Sequence, residues 1–159
     1  VLDIELYKVP FEESRVLENI IEYYVYDFSE YLDIDLSESG NFGFYSLEKY
    51  WTDTDDHHPF IIKLSDKIIG FVLVRSIFLN GEKTNTIAEF FIMKRYRRKG
   101  LGEIAAKRIF SMFQGAWEVT QIERNLPAQT FWRKVISEYT NGTYVETYHD
   151  GKFKQSFNS

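Results

Sequence analysis

Lys94-Arg95-Tyr96-Arg97-Arg98-Lys99-Gly100-Leu101-Gly102 places five cations in six positions and then two glycines one residue apart. The chain runs on without a break into Glu103-Ile104-Ala105-Ala106-Lys107-Arg108-Ile109-Phe110-Ser111-Met112-Phe113, which reads as a helix. Leu101, Ile104, Ala105, Ile109, Met112 and Phe113 recur at helical spacing, with Glu103, Lys107, Arg108 and Gln114 on the other side. Upstream, Thr86 to Met93 is rich in β-branched and aromatic residues and has the length of a buried strand. The unit is strand, basic glycine loop, helix. A helix that opens on glycines offers unpaired backbone N–H groups and the positive end of its dipole, and bare glycine lets a ligand approach the main chain. Such a place wants an anion, most naturally a phosphate. No Gly-Lys-Ser/Thr is present, so a nucleoside-triphosphate loop is excluded, and a dinucleotide fingerprint would need a third glycine where Ala105 stands.

Working outward, three strands precede the loop: Phe60 to Leu64, turning at Ser65-Asp66; Ile68 to Phe78, turning at Asn80-Gly81; and Thr86 to Met93. Asn-Gly between two β-rich runs is the strongest short hairpin signal, so this is an antiparallel meander. Before it, Leu2 to Val9 alternates as a half-buried strand ended by Pro10. From about Glu12 to Leu32, Leu17, Ile20, Ile21, Tyr24, Val25, Phe28, Tyr31 and Leu32 mark a long amphipathic helix whose outer face carries Glu18, Glu22, Asp27 and Glu30. Asp33 to Tyr45 reads as a loop, with a short helix around Ser46 to Trp51. After the glycine helix, Gly115 is its stop and Ala116 to Ile122 a strand that a right-handed crossover makes parallel to its predecessor. Pro127 suits the first turn of a further helix, striped by Ala128, Phe131, Trp132, Val135 and Ile136. Thr143 to Tyr148 and Lys152 to Phe157, joined by His149-Asp150-Gly151, close the chain as a hairpin. The fold class is mixed α/β, close to α+β: a mixed, mostly antiparallel sheet flanked by helices, in the order β-α-(α)-β-β-β-α-β-α-β-β.

At 159 residues the chain reads as one domain, 1–159, with a core heavy in Phe and Tyr given 18% aromatics. It lacks cysteine, which excludes disulfides, thiolate metal sites and thiol catalysis. No apolar run has membrane-spanning length and no signal-peptide pattern opens the chain, so a cytoplasmic protein without a membrane partner is expected. A start at Val1 rather than Met points to a trimmed beginning or to numbering that omits the initiator. The net charge is −5, yet residues 94–99 are all-cationic but for Tyr96, leaving −10 for everything else. An acidic body with one basic loop argues against nucleic acid, which needs a basic face, and suits a small polyanion.

Ile92 through Gly102 resembles the acetyl-CoA-binding segment of the GCN5-related N-acetyltransferases (GNAT), Arg/Gln-x-x-Gly-x-Gly/Ala. Asn125-Leu126-Pro127-Ala128-Gln129-Thr130-Phe131-Trp132 resembles that family's later Asn-x-x-Ala-x-x-Phe-Tyr. The resemblance covers nearly the whole chain, except about Asp33 to Pro59, a region that in the family often helps to form the acceptor site. It implies transfer of an acetyl group from acetyl-CoA directly to a primary amine. It also implies cofactor contacts: main-chain groups of Phe90, Phe91 and Ile92 for the pantetheine arm and acetyl carbonyl, and amides of Arg97, Arg98, Lys99, Gly100, Leu101 and Gly102 around the pyrophosphate. Arg97 and Arg98 would add charge, Asn125 would contact the pantetheine arm, and Ala128 and Trp132 would line the cofactor side of their helix. A non-catalytic acyl-CoA-binding module of the same fold is the alternative.

The chemistry demands a proton acceptor, because an alkyl ammonium of pKa ~10.4 is neutral only about once in a thousand molecules at pH 7. A donor at the developing oxyanion is needed too, and a strand N–H not used in the sheet supplies one. Glu89 stands near the place of the family's strand glutamate but one residue off, which reverses its face unless a bulge intervenes. The family's Tyr, credited with protonating the thiolate, is Trp132 here, so Tyr139 and Tyr144 become the candidates for general acid. Asp53, Asp55, Asp56, His57 and His58 read as a solvated loop and not as a metal site, since adjacent residues seldom converge on one ion. The acidic segment Asp27, Glu30, Asp33, Asp35 and Glu38 reads either as a solvated face or as a rim for a cationic acceptor, with Tyr23, Tyr26, Phe42, Phe44, Tyr45, Tyr50 and Trp51 as its aromatic surroundings. The exposed C-terminal hairpin offers an edge for a homodimer.

Overall fold

A computed structural model describes residues 3–43 and 46–159. The start of the first predicted strand, at Leu2, and the aromatics Phe44 and Tyr45 lie outside the described residues. Seven strands form one sheet in the order β1-β2-β3-β4-β5-β7-β6: β1 (Ile4–Lys8), β2 (His57–Leu64), β3 (Lys67–Leu79), β4 (Glu82–Ile92), β5 (Ala116–Ile122), β6 (Val145–His149) and β7 (Lys152–Asn158). Every neighbouring pair is antiparallel except β4 with β5. That parallel pair is joined through the crossover helix α3 (Leu101–Met112), the connection that parallel neighbours need.

Local chemistry sets the three hairpins. Ser65-Asp66, Asn80-Gly81 and Asp150-Gly151 all hold positive φ, the conformation that lets a two-residue turn follow the twist of its strands. Pairing therefore reaches the turns, and β4 starts at Glu82, four residues before the sequence-based limit. β2 likewise begins at His57 and takes Pro59 into the strand: Pro59 O accepts from Val9 N at 3.0 Å, and Val9 O, which the missing N–H would have met, accepts from Trp51 Nε1 at 2.9 Å.

The sheet has a core on each face. Helix α1 (Ser14–Phe28) lays Leu17, Ile21 and Val25 on Ile61, Phe71, Leu73 and Phe91, and the short α2 (Lys49–Thr52) adds Tyr50. On the other face α3 and α4 (Leu126–Thr140) cover Ile62, Val72, Val74, Trp117 and Val119. α1 stops at Phe28, short of the predicted Leu32, because Ser29 N–H tightens onto Val25 and Tyr26 carbonyls and the Ser29 hydroxyl donates to Tyr26 O at 2.6 Å. The buried stripe of α3 is Leu101, Ala105, Ala106, Ile109 and Phe110, rotated from the predicted one. Met112 is 52% exposed, while Phe110 is fully buried edge-on to both Trp117 and Phe157 with ring centroids at 4.9 Å. No helix among the described residues is long and apolar enough to cross a membrane.

Candidate active site

The ladder between β3 and β4 slips once. Leu73 faces Glu89 but the next residue, Val74, faces Ile87, so Ala88 is the extra residue of a β-bulge. Ile87 and Phe90 turn toward α3 and α4, whereas Ala88 and Phe91 turn toward α1. Glu89 shares the α1 side, since its register partner Leu73 lies there and the Tyr24 hydroxyl of α1 donates to its carboxylate. From Glu89 to Ile92 the ladder is regular, so the bulge displaces Ala88 and the residues before it.

Apolar surroundings push the Glu89 carboxyl up from 4.5 to about 7, against the opposing pull of the Tyr24 hydrogen bond and the nearby Arg75 cation. A carboxylate balanced near neutrality is suited to receive and release a proton under physiological conditions.

Beside the bulge the sheet opens. β4 and β5 pair only at Thr84–Ala116, Asn85–Trp117 and Thr86–Glu118. Beyond them Ile87–Ile92 and Val119–Ile122 part, leaving main-chain groups on that edge of β4 without a strand partner among the described residues. Phe90, Phe131 and Trp132 close the α3/α4 side of this wedge, Phe90 stacked on Phe131 at 5.6 Å and edge-on to Trp132 at 5.1 Å. Trp132 is 6% exposed and belongs to the core beneath the wedge.

The basic loop leaves the end of β4 through a single 3-10 turn, Lys94–Tyr96, and enters α3 at Gly100. Gly100 has φ +76° with nothing within 4 Å of where a Cβ would stand, so the helix entrance faces open space. Gly102 is crowded instead: an added Cβ would meet Phe131 at 3.3 Å and Ile92 at 3.4 Å, so this glycine sets how closely α3 approaches β4 and α4. Arg98 and Lys99 are exposed and make no ion pair among the described residues. Arg97 differs. Its Nε donates to Ile92 O at 2.6 Å, its Nη2 to Asp27 of α1, and its guanidinium lies 5.6 Å from the Phe91 ring centre. Lys94 reaches the same Asp27 at 3.5 Å. The cationic loop is therefore moored to α1, and Arg97 holds it in place while Arg98 and Lys99 face outward.

Asn125 caps α4, its Oδ1 accepting from Ala128 N at 3.1 Å. The half-buried Ala128 packs against the α3/α4 core. Tyr139 and Tyr144 do not join Glu89. Both pack against the α3/α4 core, across the sheet from the carboxylate. α4 runs back along β5, so the Tyr139 hydroxyl meets Ser159 at 2.6 Å, and Ser159 in turn pairs with Gly115 at the start of β5. Tyr144 leads into Val145, whose partner Ser156 pairs with Glu118, again at the closed end. The sequence shows a hydroxyl-bearing residue but not the face or the end of the sheet on which it falls.

Several residues join the site that sequence reading did not single out. Tyr24 carried only an apolar-stripe signal, and Asp27, read as part of a solvated face or of an acceptor rim, pairs with Arg97 and Lys94. Gln129, nearly fully buried, donates to Ile122 O at 3.0 Å and Glu123 O at 2.9 Å, fixing α4 to the end of β5. Arg124 donates to Tyr31 O at 3.1 Å, joining the β5–α4 loop to the segment after α1. The acidic and aromatic residues around that segment disperse. Glu22 accepts from Phe42 N at 2.6 Å and Gly43 N at 3.3 Å, Tyr50 is in the core, Trp51 donates to Val9 O at 2.9 Å, and Tyr23 and Tyr26 point outward from α1.

The sequence profile of the Acetyltransferase (GNAT) family matches residues 17–136. No curated protein sequence matches the chain significantly. Among solved structures, an acetyltransferase from Thermus thermophilus aligns with a TM-score of 0.71 at 14% identity, covering 100% of this chain and 99% of that one. The PaiA N-acetyltransferase from Thermoplasma acidophilum, in complex with coenzyme A, gives 0.65 at 15% identity over 99% and 100%. An Arabidopsis thaliana protein in complex with the bisubstrate analogue CoA-Ac-MVNAL gives 0.63 at 13% identity over 98% and 99%. At these identities the likeness is one of fold, and with the profile match spanning most of the chain it leads to one statement: the protein belongs to the GNAT acetyltransferase family.

Proposed function

We propose that this protein, as one domain, is an N-acetyltransferase that moves an acetyl group from acetyl-CoA directly to a primary amine, with Glu89 as general base. The observation that carries this reading is a carboxylate with a near-neutral pKa on β4, next to the Ala88 bulge and in the stretch where β4 has parted from β5. Acetyl-CoA supplies the activated acyl carbon and a thiol leaving group. The chain's residues fit it: main chain along Ile87–Phe91 with no β5 partner among the described residues for an extended polar arm, and the open helix entrance at Gly100, flanked by Arg98 and Lys99, for a pyrophosphate. Arg97, Leu101 and Gly102 shape that entrance, and Asn125, Ala128 and Trp132 hold α4 beneath the wedge.

In the reaction the amine nitrogen bonds to the acyl carbon, the carbon–sulfur bond breaks, and the proton from nitrogen passes to a Glu89 oxygen, directly or through one water. A thiol of pKa ~8.5 leaves readily as thiolate and takes its proton from water, so no dedicated tyrosine acid is required. β6, exposed along its length, is the edge at which a homodimer would form.

Calorimetric titration with acetyl-CoA, using desulfo-CoA and ATP as controls, tests the cofactor half. A panel of primary amines followed by release of CoA thiol tests the reaction. Micromolar binding with turnover supports the proposal; binding with no turnover on any amine supports the non-catalytic acyl-CoA module, and no binding removes both.

A further inference from the structure

Tyr24 lies on α1, opposite the bulge, and its hydroxyl donates to Glu89 Oε2. Three other rings hold it there. Phe71 of β3 meets the Tyr24 ring edge-on at 5.5 Å, Phe91 of β4 edge-on at 6.2 Å, and Phe28 of α1 is tilted on it at 5.5 Å. A tyrosine in such a frame has little freedom to swing its hydroxyl away, and edge-on aromatic contacts are the arrangement that ring quadrupoles favour. The remaining charged group acting on Glu89 is Arg75, on β3. α1 contributes Tyr24, and α2 contributes no ionisable group that acts on the carboxyl among the described residues.

A hydrogen bond from a phenol stabilises the ionised carboxylate over the protonated acid, because the acid's carbonyl is the weaker acceptor. It also occupies one oxygen and leaves the other to take a proton. We propose that Tyr24 is the positioning residue of the Glu89 base, holding its Oε2 so that Oε1 is presented ionised to the incoming amine. This deepens, and rests on, the assignment of Glu89 as base. A residue that merely packs in the α1 core would affect stability and leave the acid–base behaviour of Glu89 untouched.

The test uses the full chain with 13C-labelled glutamate carboxyls, titrated by NMR, the Glu89 signal being assigned by its loss in Glu89→Gln. In the unaltered protein Glu89 is expected to titrate near pH 7, in keeping with its position at about 7. In Tyr24→Phe the midpoint moves up by about one pH unit, and the rate of amine acetylation at pH 6 falls about tenfold while largely recovering at pH 9. Acetyl-CoA affinity, measured by calorimetry on the same sample, stays within about twofold, since the hydroxyl lies on the α1 side of the sheet. Should Tyr24→Phe not fold, 3-fluorotyrosine at position 24 keeps the ring, stays protonated through neutral pH and makes a stronger donor, and the midpoint then moves down. A Glu89 midpoint that does not move in either variant overturns the proposal, as does a rate loss uniform across pH. A midpoint that moves in a protein that acetylates no amine at any pH leaves the Tyr24–Glu89 coupling standing and removes the acetyltransferase assignment instead.

Discussion

Leu73 and Glu89 face each other across the β3–β4 ladder, one an aliphatic side chain without exposed surface and the other a carboxylate. Burying a charge beside such a neighbour disfavours the ionised form, so the ionised carboxylate stands here at the expense of the fold.

Glu89→Gln tests both sides of that relationship. The folded carboxyl keeps its proton up to about pH 7, whereas its ordinary value is 4.5. Between those values the native state binds more protons than the unfolded one, so stability falls as pH rises through the interval and stays lowered above it. The variant escapes this loss. It is expected to melt like the parent at pH 4 and to be more stable at pH 8 by roughly 2–3 kcal/mol. Turnover at pH 7 should fall about a hundredfold or more and lose its acidic limb. Thermal melts at the two pH values and a pH–rate profile measure these effects.

Arg97 and Arg98 are adjacent cations with different work. Arg97 ties the loop to Asp27 and Ile92 O, and Arg98 faces solvent. Arg97→Ala is expected to cost about 1 kcal/mol in stability, an amount limited by the partial exposure of the pair. Arg98→Ala should leave the melting curve in place and weaken acetyl-CoA about tenfold, with a shallower dependence on salt. Paired melts and calorimetry at two ionic strengths separate the roles; an Arg98→Ala protein with parental affinity would contradict the assignment.

The two loop glycines answer to different constraints. Gly100 has room for a side chain but sits at φ +76°, so Gly100→Ala should destabilise by about 1 kcal/mol through backbone strain alone. Gly102 lies inside α3, where an added methyl would meet side-chain atoms at 3.3 and 3.4 Å, contacts that small shifts can relieve. Gly102→Ala should therefore fold with near-parental stability, its helix propensity gain of about 1 kcal/mol offsetting the crowding. Gly102→Leu, which would have to displace Phe131, should lose acetyl-CoA binding in the same calorimetric assay.

Gly70 on β3 is the harshest position. A Cβ there would stand 2.0 Å from the carbonyl oxygen of Phe91. Backbone cannot yield as a side chain does, so Gly70→Ala is expected to cost about 3 kcal/mol or more and to shift the end of β4. Denaturant unfolding reads the loss, and weakened acetyl-CoA binding in whatever folds would show that the strand end shapes the site.

Much of this protein was legible in the chain because its signals are local. Turn pairs such as Asn80-Gly81 demand positive φ, α1 repeats its apolar residues at helical spacing, and the glycines at 100 and 102 open a helix behind five cations. Local rules therefore determined the element order, the mixed sheet, the family and the place of the basic glycine loop. Register and facing were decided only by tertiary structure. A bulge at Ala88 depends on how β3 pairs with β4, and so does the placing of Glu89 opposite Leu73 on the α1 side of the sheet. Tyr24 looks like one more core residue until α1 docks and its hydroxyl reaches Glu89, 65 positions away in sequence. The tie from Arg97 to Asp27 and the meeting of Tyr139 with Ser159 beside the start of β5 likewise come from packing alone. Each of these depends on long-range packing, which the pattern of a single chain does not encode residue by residue.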